Sequence, residues 1–88
     1  MSIPSDVNFS VMCLVRGNSF PVALSRNLSM ADALREVADY RDKQKSAGFR
    51  VRQHKATGTV NLERRGWIDI INPHGGKTEA EYWAEPTV

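Results

Sequence analysis

Apolar and polar positions follow a period of two from Asn8 to Arg16 (NFSVMCLVR), which marks a β-strand. Phe9, Val11, Cys13 and Val15 share one side, and Met12 and Leu14 share the other. Apolar residues on both sides predict an interior strand, either covered twice or covered once and met by a partner. Gly17-Asn18 is a turn signal, and Ser19 to Leu24 (SFPVAL) reads as the second strand of a hairpin. Pro21 has no N–H to give to a ladder, so this second strand belongs at a sheet edge.

The spacing changes after Leu28. Met30, Ala33, Leu34, Val37, Ala38 and Tyr40 recur at helical intervals, with Arg35, Glu36, Asp39, Asp42 and Lys43 on the opposite side. Ser29 is placed to cap the N-terminus, and Asp32 three residues on makes a weak capping box. Leu28 and Ala33 stand where a hydrophobic staple would put them. Lys43 and Lys45 suit the negative end of the helix dipole, and Gly48 suits the position just past the end. The helix is therefore predicted over about Met30 to Ala47.

Three short β candidates follow. Phe49 to His54 alternates, with Phe49, Val51 and Gln53 on one face and Arg50, Arg52 and His54 on the other. Lys55 to Gly58 is a turn, and Thr59 to Arg64 returns with Val60 and Leu62 on the apolar side, setting Glu63 near Arg50 or Arg52. Trp67 to Asn72 is a further strand. For Ile68 and Ile70 to share a face with Val60 and Leu62 an irregularity is needed, and Gly66 is its natural place. Asn72 to Gly76 is a loop, and Thr78 to Trp83 reads as a final strand or a helical turn.

The order ββαβββ predicts a single α+β domain over residues 1–88. One helix packs on one face of a mainly antiparallel sheet of four or five strands. The second face is then solvated, covered by the C-terminal segment, or used as an interface. The ββα opening resembles the first half of many small α+β folds, the β-grasp among them, in topology alone.

Composition narrows the class. Eighty-eight residues suffice for one small core, and no internal repeat or low-complexity stretch is present. One cysteine excludes an intramolecular disulfide framework, which points to a reducing, cytoplasmic setting. No apolar run approaches the roughly 20 residues of a membrane span, and the first residues lack the pattern of a signal peptide. The net charge of +2 hides a segregated distribution. Arg41 to Arg65 holds eight basic and two acidic residues, a local +6. Met1 to Tyr40 is at −1, and Gly66 to Val88 at −3.

Candidate chemistry is sparse. Asn72-Pro73-His74-Gly75-Gly76-Lys77-Thr78 ends like a phosphate-binding loop, but Ile71 stands where the first glycine is required. Only ten residues follow Thr78, so an ordinary glycine turn is the better reading. His54, His74 and Cys13 lack the spacing of a zinc site, and Cys13 reads as a small buried hydrophobe. Asp69, between isoleucines, reads as the outward residue of an alternating strand. No nucleophile elbow or marked carboxylate pair points to an enzyme, and no cofactor is implied.

The expectation is therefore a non-enzymatic interaction module, of the kind that regulates or inhibits a larger complex. Arg50, Arg52, His54, Arg64, Arg65 and Trp67 form its basic sheet face with an aromatic anchor. Its partner is another protein or a second copy, as a homodimer, and not a membrane. The alternative is single-stranded DNA or RNA, whose phosphates and bases the same cations and aromatics would meet.

Overall fold

The computed structural model describes residues 8–54 and 64–87. The elements are β1 (Phe9–Val15), β2 (Val22–Leu28), α1 (Met30–Ser46), β3 (Arg50–Gln53), β4 (Arg65–Ile71) and β5 (Thr78–Pro86). The five strands form one antiparallel sheet in the order β2-β1-β5-β4-β3, and the helix packs across one face of it. This is the expected ββαβββ α+β architecture with five strands. Among the described residues no helix is long and apolar enough to cross a membrane.

The helix ends follow their sequence signals. The Ser29 side chain accepts a hydrogen bond from the Asp32 backbone N–H at 3.1 Å, satisfying one of the otherwise unpaired first-turn donors. At the other end Gly48 takes φ +97°. Its N–H donates to the Lys45 carbonyl, and the Phe49 N–H donates to that of Gln44, which closes a Schellman motif. Ala33 and Val37 are buried beneath α1 against Phe9, Val11, Cys13, Ile70, Tyr82 and Ala84. Burying Val37 alone contributes about 1.5–3 kcal/mol.

β1 is an interior strand, as its apolar residues on both sides predict, and β2 an edge strand, the place expected from Pro21, but β2 starts later and runs further than Ser19 to Leu24. Pro21 lies just outside it, and the pairing with β1 is broken by two register shifts. Asn27, at φ 61°, sits at one of them. The expected irregularity at Gly66 is also present. Arg65 stands opposite Ala84 and Ile68 opposite Tyr82, so Gly66 and Trp67 together face Trp83. Gly66 has φ +62°, and a Cβ there would stand 2.9 Å from Leu34 Cδ2. The positive φ is the reason glycine is favoured here, since the end of the Leu34 side chain can shift.

The glycine-rich loop joins two antiparallel strands. The Gly76 N–H donates to the Asn72 carbonyl at 2.8 Å, the Asn72 side-chain oxygen accepts from the His74 N–H, and the Asn72 N–H donates to the Lys77 carbonyl. Thr78 then begins β5, with no helix after it among the described residues, and a strand stands where a phosphate loop needs a helix. The segment left open as strand or helical turn is thus a strand, and it lies at the centre of the sheet between β1 and β4. The expected strand over Thr59 to Arg64, with Val60, Leu62 and Glu63, lies outside the described residues save for Arg64, which precedes β4.

Candidate binding face opposite the helix

Strand alternation places a second set of side chains on the face that α1 does not cover. Register builds this face in rows. One row runs Arg52 (β3), Asp69 (β4), Glu81 (β5) and Leu14 (β1). The next holds His54, Trp67, Trp83 and Met12, with the His54 N–H donating to the Trp67 carbonyl at 2.9 Å. The bulge at Gly66 is what turns Trp67 to this side while leaving Arg65 across from Ala84.

An ionic cluster fills the first row. Arg52 donates from Nη2 to Asp69 Oδ2 at 3.1 Å, and His54 Nδ1 lies 2.8 Å from Asp69 Oδ1. Glu81 Oε1 is 3.8 Å from the same imidazole nitrogen. The Asp69 side chain is only 4% exposed, against 59% for Arg52. The expectation of an outward, solvated Asp69 is therefore corrected. It points away from the helix, but Arg52 and His54 stand over it. A buried carboxylate requires such partners, because desolvation otherwise penalises its charge by several kcal/mol.

The second row is a stack. The His54 ring lies 3.8 Å from the Trp67 ring at 11°, and Trp67 is tilted against Trp83 at 5.5 Å. The Arg64 guanidinium sits 3.7 Å over Trp83 and 4.4 Å over Trp67, a double cation–π contact. Both indole N–H groups donate to carboxylates from β5, Trp67 to Glu81 at 2.9 Å and Trp83 to Glu85 at 2.6 Å. Burial lowers the Arg64 pKa, and the charges of Glu85 and Glu81 oppose that shift. The guanidinium stays protonated at any physiological pH.

Of the six residues expected at the site, Arg52, His54, Arg64 and Trp67 converge here. Arg50 is exposed on the same side of β3, opposite Ile71. Arg65 is exposed at the start of β4 but belongs by register to the helix side. Sequence reasoning missed Asp69 as a member and left open where Trp83, Glu81 and Glu85 of β5 would lie. A signal for the last three was present, since Glu79, Glu81, Trp83 and Glu85 alternate with Ala80, Tyr82 and Ala84. The face is accordingly not a plain cationic platform. Arg52 pairs with Asp69 on it and Arg64 lies near Glu85 and Glu81, while Arg50 makes no ion pair among the described residues.

Among the described residues, His54, Asp69 and Glu81 each present one potential ligand atom, all within 4.8 Å of one another, and could hold a divalent cation. Their atoms are already engaged, Asp69 by Arg52 and His54, and Glu81 by Trp67. The cluster thus meets its own hydrogen-bonding needs. Cys13 is buried on the other face. Burial pushes its thiol pKa up and a hydrogen bond with Tyr82 offsets part of this, so a reactive thiolate is disfavoured there. In comparisons with known proteins, no family model, no curated protein and no solved structure matches the chain.

Proposed function

We propose that the protein is a small, non-enzymatic interaction module that acts in the cytoplasm as a regulator or inhibitor of a larger complex. It binds a protein surface, that of another protein or of a second copy of itself, through the sheet face opposite α1. The observation that carries this reading is the segregation of charge into columns on that face. Arg50 and Arg52 lie along β3, while Glu81 and Glu85 lie along β5, beside a Glu79 that already pairs with Arg16 at 3.2 Å. Two strand spacings, roughly 10 Å, separate the columns. A twofold-related copy can set each arginine column over the other's glutamates, which is the self-complementarity an isologous dimer needs. The Arg64–Trp67–His54 stack between them supplies residue types that dominate binding hot spots.

A nucleic acid would draw on uncompensated cations, since its affinity comes chiefly from phosphate neutralisation. On this face Arg52 is paired with Asp69 and Arg64 feels the charges of Glu85 and Glu81, which favours a protein surface over a polyanion. Light scattering across a rising protein concentration tests the self-association. The mass should climb from 9.9 kDa toward twice that value, and Arg50→Glu should hold it at 9.9 kDa. A wild-type mass that stays at 9.9 kDa through the millimolar range would contradict the dimer. Arg52→Glu is unsuitable for this purpose, because it would set a second carboxylate against the buried Asp69.

A further inference from the structure

We propose that the groove between α1 and the edge strand β3 captures an extended acidic–apolar segment of a partner protein, which adds to the sheet beside β3. The inference rests on the reading of the protein as a binding module and gives it a second surface, with a defined partner chemistry.

The two edges of the sheet differ. β2 is interrupted by two register shifts and a left-handed Asn27, and such bulges twist an edge away from further pairing. β3 pairs with β4 in unbroken register, from Arg50 opposite Ile71 to Gln53 opposite Ile68. Among the described residues no strand lies beyond it. The His54 N–H points to β4, where it donates to Trp67. Alternation along an antiparallel ladder then turns the N–H and C=O groups of Arg52 the same way, and those of Val51 and Gln53 outward. These outward groups are what an added strand would bond.

A groove of about 320 Å³ runs alongside, with Leu34, Val37, Val51 and Ile68 as its apolar walls and Arg41 and Lys45 contributing cations from α1. Side chains of an added strand would alternate like those of β3. On one side they would enter the groove, as Val51 does, and on the other they would lie beside Arg50 and Arg52. Apolar residues suit the first side and carboxylates the second. Arg41 and Arg52 already pair with Asp42 and Asp69, whereas Lys45 and Arg50 make no ion pair among the described residues. The charge at this edge therefore selects an acidic strand.

The test is a titration of ¹⁵N-labelled full-length protein with a short capped peptide alternating glutamate and valine, and with its lysine–valine counterpart. Binding of the glutamate peptide should shift the Val51 and Gln53 amides and slow their hydrogen exchange roughly tenfold or more, while the lysine peptide does nothing. Arg50→Glu, at an exposed position on the side where the peptide's glutamates would lie, should weaken binding by roughly tenfold or more in a protein whose amide spectrum stays folded. Equal response to the two peptides, or no response of the Val51 and Gln53 amides at millimolar peptide, would overturn the inference. So would shifts confined to His54, Arg64 and Trp67, which would leave the broader reading standing. That reading is judged separately by the light-scattering result.

Discussion

Arg52→Met removes the guanidinium that faces Asp69 and keeps most of the aliphatic stem. Arg52 is largely solvated, so losing its own charge costs little, on the scale of about 0–1 kcal/mol for exposed pairs. The larger effect falls on Asp69. Its Oδ2 accepts from Arg52 at 3.1 Å within a side chain only 4% exposed, and after the change His54 alone remains beside the carboxylate. A buried acceptor left without its partner costs about 1–3 kcal/mol, and more when charged. For a chain of this length each kcal/mol lowers Tm by roughly 4–8 °C. Thermal and urea unfolding followed by tryptophan fluorescence should therefore show a loss of about 1–3 kcal/mol. In an Asp69→Ala background the same substitution should cost less than about 0.5 kcal/mol, because the penalised carboxylate is gone. An equal effect in both backgrounds, or none in either, would refute the burial of a partnered carboxylate on this face.

Gly66→Ala should destabilise by about 1–3 kcal/mol, since φ +62° strains any Cβ and Leu34 Cδ2 must move from 2.9 Å; unchanged stability by chemical denaturation would show that the bulge is not required. Burial raises the pKa values of Cys13 and Tyr82 above their ordinary 9.0 and 10.0, so both are held neutral in the fold. As pH rises past those ordinary values, the unfolded chain loses protons first. The stabilisation is thus complete below about pH 9 and is lost as pH climbs through the raised native values. Urea midpoints should fall from about pH 8 to about pH 11, and the native thiol should react with a disulfide reagent far more slowly than in urea; a flat profile with a fast native reaction would contradict both burials.

Local signals in the chain carried a good part of this structure. Ser29 and Gly48 bound the helix because capping depends on residues within a turn of each end. Gly66 marks the bulge because only an interruption reconciles the faces on either side of it. The long-range pairings were less legible. β5 joins β1 through contacts as distant as Phe9 with Pro86, and no local pattern specifies such a partner. With β5 left open as a strand or a helical turn, its acids had no fixed position, so Arg52, His54, Arg64 and Trp67 read as a cationic platform. Asp69 looked solvated for the same reason. Alternation gave its side correctly, but its burial depends on neighbours from β3 and β5. The segregation of charge along the sequence survives in the fold as columns on strands, brought close enough to compensate one another.

Titration with labelled single-stranded DNA and RNA separates a compensated face that binds a protein surface from one that binds a polyanion. At about 50 mM salt neither nucleic acid should show saturable binding, with no change at about 200 mM. Tight binding at the lower salt that collapses at the higher, and that Arg50→Glu abolishes, would contradict the protein-surface reading.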